Sequence, residues 1–390
     1  MDCDIADRKY AGSSIMIAQG GSLIYDHQSG VRDIEMGQVF DQDTIVRIYS
    51  MTKPITTVAL MMLVEKGLVH LGAPISDFIP EFSDCQCLKG GAQRIDQVED
   101  CATPTLHQLA THTSGMSYAF NPGLLPAEME KRDVLFRSQQ GYLADMAVRA
   151  ARLPLAFSPG SRWEYSVGID ILGRVIEVVT GQGLDQFFQE QIFDPLDMTA
   201  TGFSVPKGQK SRFATLYSPL QGNAMDLNAT QKSKETLNVA DGVEGSEYLN
   251  ASLFSGGGGL VGTIGDYMKF VECLRLDGRA GDARLLSKST MSFMKGNHLK
   301  GDIASIGPKS FAEQPMEGVG FGLGGSTVLD PRPAGVPGNV GDFAWGGMAS
   351  TFFWVDPILD LSVVFFTQLS PSSSYSTRAQ LKAMVHAAVD

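Results

Sequence analysis

Strand-forming sequence lies at the two ends of this 390-residue chain and is scarce between them. Near the start, Ser14 to Ala18 and Ser22 to Tyr25 are short apolar runs around Gln19-Gly20-Gly21, the pattern of a β-hairpin with glycines at its turn. Near the end, Phe343 to Trp345, Thr351 to Val355 and Leu361 to Phe366 are separated by Gly346-Gly347 and Asp356-Pro357. Either group alone would leave open sheet edges, so the two are expected to combine into one antiparallel sheet with helices on its faces. From Leu71 to Asn250 the pattern is helices and polar loops with little alternation. The expected class is α/β (α+β): an antiparallel sheet flanked by helices, with a mostly helical domain inserted. The boundaries are a discontinuous sheet domain of residues 1–70 and 251–390 and a helical domain of residues 71–250, with a cleft where the two meet.

Composition removes several classes of function. Apolar residues make up 43% and charged residues 19% of the chain, which is globular and neither disordered nor fibrous. A net charge of −12 repels phosphate backbones and anionic lipid, so nucleic acid and membrane surfaces are not expected partners. The uncharged stretch Tyr248 to Gly265 is interrupted by Ser, Asn and glycines and cannot supply the ~20 apolar residues of a membrane span. The opening Met1-Asp2-Cys3-Asp4 does not resemble a secretory signal, and five scattered cysteines point to a reduced, cytoplasmic protein.

Several elements can be placed from periodicity. Ile55, Val58, Ala59, Met62 and Leu63 fall on one helical face, and Pro54 belongs to the first turn of that helix, so it starts at about Ser50 to Met51 and closes at Lys66-Gly67. A second helix is expected over Val167 to Thr180, capped by Gly181, and a final amphipathic helix with Leu381, Met384 and Val385 inward. Cys85 to Thr105 and Gln221 to Asn250 read as long polar loops.

A serine hydroxyl becomes a useful nucleophile only when a neighbouring base takes its proton. The G-x-S-x-G elbow is absent, and a Ser-His-Asp arrangement would rest on His112 alone, which reads better as a loop histidine with structural partners. The other arrangement is Ser-x-x-Lys on a helix, whose spacing places both side chains on one face, about 5–6 Å apart at Cβ. Three matches occur, starting at Ser50, Ser204 and Ser292, and only Ser50-Met51-Thr52-Lys53 opens a helix. There the free N–H groups and the positive macrodipole end suit an oxyanion, and burial lowers the pKa of Lys53. Tyr165, just before the Val167 helix, is the candidate second proton carrier, with its own pKa expected to fall beside the Lys53 ammonium.

Taken in order, Ser50-Met51-Thr52-Lys53, Leu109 to Gly115, Phe157 to Ser166, Ser255 to Leu260 and Trp345-Gly346-Gly347 resemble the serine β-lactamase-like hydrolases, and among them most the family VIII bacterial carboxylesterases. The resemblance implies the DD-peptidase/class C β-lactamase fold and an acyl-enzyme mechanism with no metal and no cofactor. It assigns Ser50 as nucleophile, Lys53 as its base and Tyr165 as the tyrosine of the second motif. Trp345, Gly346 and Gly347 would line the substrate cleft, and the backbone N–H groups of Ser50 and Met348 would form the oxyanion hole. The chain departs from the family's lactamases in reading Tyr165-Ser166-Val167 for Tyr-x-Asn and in having Trp345 where Lys-Thr-Gly supplies a lysine. A lactam carboxylate would miss that cation, whereas a neutral ester would not. The Tyr248-Leu249-Asn250 tripeptide lies out of motif order and is taken as coincidental. About a dozen residues precede Ser14, fewer than the family's lead-in helix, which bears on how the outer face of the sheet is covered.

The expected activity is therefore cleavage of small to medium carboxylic esters. Acyl transfer, β-lactam or D-peptide hydrolysis, and ligand binding without catalysis are the alternatives. Cys85, Cys87 and Cys101 lack the companions of a metal site and read as loop thiols, and Gly256 to Gly259, without a following Lys-Ser/Thr, read as a turn back into the sheet domain with Thr263 or Asp266 near the next helix start.

Overall fold

The computed structural model describes residues 1–219 and 237–389. Its centre is an eight-stranded antiparallel sheet drawn from both chain ends: β1 (Gly12–Gln19), β2 (Ser22–Asp33), β3 (Gln38–Val39), β4 (Val319–Phe321), β5 (Ser326–Val328), β6 (Phe343–Gly346), β7 (Phe352–Asp356) and β8 (Leu361–Thr367), in the spatial order β4-β5-β6-β7-β8-β1-β2-β3. The seam between the two ends is β1 against β8, with Ile15 opposite Phe365 and Ile17 opposite Val363. Gly20 and Gly21 both have positive φ (58° and 82°), which the tight β1–β2 turn requires.

The middle strands are buried on both faces, so they read as apolar runs rather than alternating ones. Phe353, Val355, Val364 and Phe366 face the main core, and Phe352, Trp354, Val363 and Phe365 face a smaller one on the other side. Helix α1 (Thr52–Glu65) runs through the main core, and every residue from Thr52 to Leu63 is buried. The apolar stripe in its sequence understated this, because Thr56 and Thr57 enter the core by donating to the carbonyls of Gly256 (2.7 Å) and Leu323 (3.1 Å). Helix α2 (Gly168–Thr180) ends on Gly181 in the left-handed conformation, and α3 (Ile264–Arg275) starts from Thr263, whose side chain accepts from the amide of Asp266.

Two loop expectations change. Cys85 to Thr105 contains a hairpin, Gln86–Leu88 against Val98–Asp100, which brings Cys101 into hydrogen-bonding range of Cys87; burial, helped by the neighbouring thiols, pushes Cys101 up to about 12. Of Gln221 to Asn250, residues 221–236 lie outside the described residues, whereas Asn238–Asp241 pairs with Leu216–Ser218. Short polar strands of this kind carry too few residues to show alternation.

The final helix, α4 (Thr377–Ala388), lies on the outer face with Leu381 and Val385 inward, but Met384 is 64% exposed. The stripe that replaces it is basic: Arg378, Lys382 and His386 at four-residue spacing meet Glu313, Asp342 and Asp356. Ligand atoms of Asp342, Asp356 and His386 lie within 4.8 Å of one another, yet the Lys382 ammonium (2.6 Å from Asp342) and His386 itself (3.1 Å from Asp356) already provide the cations there. Among the described residues no helix is long and apolar enough to cross a membrane.

Candidate active site

The segment that carries Ser50 is fixed before its helix begins. Val46–Arg47 pairs with Val261–Gly262, the Ile48 amide donates to Leu260 O (3.1 Å), and the buried Arg47 guanidinium binds Asp241 (2.7 Å) and Ala214 O (2.7 Å). Tyr49 then adopts φ +44°, a left-handed conformation that is strained for a bulky residue, with its ring edge-on to Tyr248. Ser50 follows in a 3-10 turn, Tyr49–Met51, one turn ahead of α1 proper. The Tyr267 hydroxyl donates to Met51 O (2.8 Å) and pins this junction to the sheet side.

Lys53 lies beneath Ser50 and is fully buried. Its ammonium donates to Ser50 Oγ (3.2 Å), Tyr118 Oη (2.9 Å) and the carbonyl of Gly257 (2.6 Å). Burial lowers its pKa to about 7 against the opposing charge of Asp170. The amine is thus available as a base near neutrality, and among the described residues no histidine is hydrogen-bonded to it or to Ser50.

Tyr165 reaches the same point from the loop before α2. Its hydroxyl accepts from the indole N–H of Trp345 (3.4 Å) and faces the same cleft as Ser50, while Lys53 Nζ sits 4.4 Å from its ring centre. Lysine therefore meets the π face of Tyr165 and the hydroxyl of Tyr118. The expected fall in the Tyr165 pKa is reversed: burial pushes the phenol well above its usual range, because desolvation outweighs the stabilising polar influence of Ser50 and Trp345. A phenol that keeps its proton is a donor rather than a resting base.

The sequence reasoning missed Tyr118 and Asp170. Tyr118 donates to Asp170 Oδ2 (3.1 Å); Asp170, buried in the first turn of α2, also accepts from the Gly257 amide (3.0 Å) and from the Ser255 hydroxyl. Asp170 was detectable: a carboxylate between Ile169 and Ile171 on an apolar helix must find partners or neutralise. Tyr118 carried no such signal. The glycine run does more than turn the chain, since a Cβ at Gly257 would collide with Asp170 and the Tyr118 hydroxyl, so that position keeps the centre open.

Ser50, Tyr165, Trp345, Gly346, Gly347 and Met348 line one cleft of about 1060 Å³. Gly347 lets the end of β6 approach the Ser50 segment, because a Cβ there would strike Ile48 O; its amide donates to Thr351 O (2.7 Å) and that of Ser350 to Gly347 O (3.1 Å). Tyr248 also reaches this cleft, with its hydroxyl on Gly258 O (3.3 Å). His112 packs 4.7 Å from the Tyr165 ring but makes no hydrogen bond to Ser50 or Lys53: its Nδ1 contacts Ser166 Oγ (3.2 Å) and accepts from the Ser166 amide (3.2 Å), and buried Nε2 has no partner. Ser204 accepts from the Ala251 amide (2.9 Å), and Lys295 pairs with Asp277 (3.0 Å) in the last turn of its helix. Neither of those Ser-x-x-Lys matches comes to the cleft.

Comparison with known proteins gives the chain's family. The chain is 30% identical to Esterase EstB of Burkholderia gladioli, covering 94% of this chain and 88% of that protein, and 30% identical to a lovastatin esterase of Penicillium rubens, covering 86% and 83%. Among solved structures, EstCE1, a hydrolase with promiscuous acyltransferase activity, superposes with a TM-score of 0.79 at 27% identity, covering 98% of this chain and 94% of that one. The description of the β-lactamase family matches residues 1–387, and the chain belongs to that family.

Proposed function

We propose that the protein is a serine carboxylesterase that forms an acyl-enzyme on Ser50. The observation that carries this is the buried Lys53 amine, 3.2 Å from Ser50 Oγ and brought to about 7 by desolvation. In this reading the neutral amine accepts the Ser50 proton as Oγ attacks the ester carbonyl. The amides of Ser50 and Met348 receive the oxyanion, a contact worth ~10²–10³ in turnover in a typical hydrolase. Tyr165 gives its proton to the departing alkoxide and is reprotonated from Lys53 through a water in the cleft, and water then releases the acid by the reverse transfers. Trp345 positions Tyr165 through its indole N–H, and Gly346-Gly347 form the cleft wall. Because Lys53 and Tyr165 share one site, their titration belongs to the pair.

A second reading, transfer of the acyl group to another alcohol, is favoured by a cleft at the upper end of the ~300–1,000 Å³ usual for small-molecule sites, with room for an acceptor. Intact-mass analysis after treatment with a fluorophosphonate tests the central claim: one adduct is expected on the wild type and none on Ser50→Ala. An unlabelled wild type would overturn it in favour of a ligand-binding relative. Product analysis with added alcohol separates hydrolysis from transfer, and cephalosporin turnover as fast as that of a nitrophenyl ester would instead indicate a lactamase.

A further inference from the structure

As an ammonium, Lys53 has three N–H bonds and three partners to receive them: Ser50 Oγ (3.2 Å), Tyr118 Oη (2.9 Å) and the carbonyl of Gly257 (2.6 Å). As a base it has only two, because the neutral amine exchanges one N–H for a lone pair. Which of the three directions the lone pair takes decides whether the amine can serve Ser50. If it turned toward either other partner, an N–H would face Ser50 Oγ and the nucleophile would keep its proton.

The protons carried by the partners fix the choice. Gly257 O has none and can only accept. Tyr118 has one, and it is committed to Asp170 Oδ2 at 3.1 Å. The other oxygen of Asp170 accepts from the Gly257 amide (3.0 Å) and from the Ser255 hydroxyl. One fully buried carboxylate therefore holds both acceptors of the lysine, Tyr118 through its hydroxyl and Gly257 through its amide. The Tyr118 ring is fixed as well, stacked on Phe120 with centres 4.8 Å apart and lying 5.1 Å from the ring of Tyr165. Of the three partners, Ser50 is the one with a hydrogen left to give.

We propose that Tyr118 is a positioning residue for the reaction: by donating to Asp170 and accepting from Lys53, it holds one N–H of the neutral amine and, together with Gly257 O, turns the lone pair toward Ser50. As Ser50 Oγ bonds to the ester carbonyl carbon, the carbonyl π pair moves to its oxygen and the Ser50 proton passes to Lys53 Nζ, restoring three N–H bonds to three acceptors. Without the Tyr118 hydroxyl, the favoured rotamer is the wrong one. It gives its N–H bonds to Gly257 O and Ser50 Oγ and wastes the lone pair on the aromatic edge.

This role rests on the reading of Lys53 as the base of an ester hydrolase, and the tests keep the two apart. Tyr118→Phe retains the ring and its stacking. Its kcat on 4-nitrophenyl acetate is expected to fall about 3- to 12-fold, the range of one neutral hydrogen bond, with KM nearly unchanged. The titratable groups around Lys53 are Asp170, Tyr118, Tyr165 and His112; burial keeps both phenols protonated and the imidazole neutral, so Asp170 is the charge it faces. Removing the Tyr118 hydroxyl takes an acceptor from the ammonium and a donor from Asp170, and both losses should move the acid limb of kcat to lower pH. A loss below threefold, one carried by KM, or a limb unmoved or displaced upward overturns the positioning role while leaving the esterase standing. Failure of a fluorophosphonate to label wild-type Ser50 overturns both. Should Tyr118→Phe not fold, neutron diffraction from wild-type crystals in heavy water, above the acid limb, reads the orientation directly. A Tyr118 deuteron on Asp170 Oδ2 supports the role, and one on Lys53 Nζ overturns it.

Discussion

The two sides of the cleft differ in how their polar groups are satisfied. On the side of α1 and α2, Lys53, Tyr118, Asp170, Ser255 and Gly257 form a closed, buried network in which each named group meets another. On the side of α4 and the 310–315 hairpin, Arg378 and Glu313 face each other without a hydrogen bond. The first arrangement cannot shift without stranding a buried group, so it suits bond-making that needs fixed geometry. The second is an ion pair at 3.7 Å with buried carboxylate oxygens, held by charge and packing rather than by hydrogen bonds. One side of the cleft is fixed by directional hydrogen bonds and the other by charge and burial.

Substitutions can break this contrast. Tyr165→Phe removes a proton donor from the closed side while keeping the ring against Trp345, and should lower kcat by ~10²–10⁴ with little change in folding, as measured by steady-state kinetics and thermal unfolding. Loss of less than tenfold would move the donor role away from Tyr165. Asp170→Asn should cost about tenfold in kcat/KM, roughly one hydrogen bond, and shift its pH profile. The wild-type acid limb is expected near pH 7, activity rising as Lys53 loses its proton; because Asp170 raises the Lys53 pKa, removing its charge should move that limb to lower pH. An upward shift would contradict the assigned coupling.

The smallest effect concerns the outer end of α4. His386→Leu should cost about 1 kcal/mol, some 2 °C in Tm, because Asp356 keeps Asn339 (2.7 Å) and the amides of Ile358 and Leu359 as partners. The His386 pKa is raised by its hydrogen bond to Asp356, so this contribution is full below about pH 6.5 and fades as pH rises through the folded value. The Tm difference between wild type and variant should therefore shrink at alkaline pH; a constant difference would mean that packing, not the ion pair, carries it.

The parts of this layout that were legible in the sequence are those with local signatures. The hairpin at Gly20-Gly21, the cap at Gly181 and the Ser50-Lys53 spacing each follow from neighbours within a few residues. What escaped was non-local: the second tyrosine, the burial of α1 on every side and the basic stripe of α4, where Met384 had been placed inward. The absent lysine at Trp345 was read as the absence of a cation, although Arg378, 33 residues on by sequence number, returns one to the same strand.

Residue order by itself determined that Ser50 and Lys53 stand side by side and that the two chain ends pair, because periodicity and i, i+3 spacing act through local backbone geometry. Only the tertiary structure decided which tyrosine holds the lysine, in which direction the phenol's acidity moves and where positive charge enters the cleft. Those depend on desolvation and on distances between groups far apart along the chain, and neither quantity is written in any short stretch of residues.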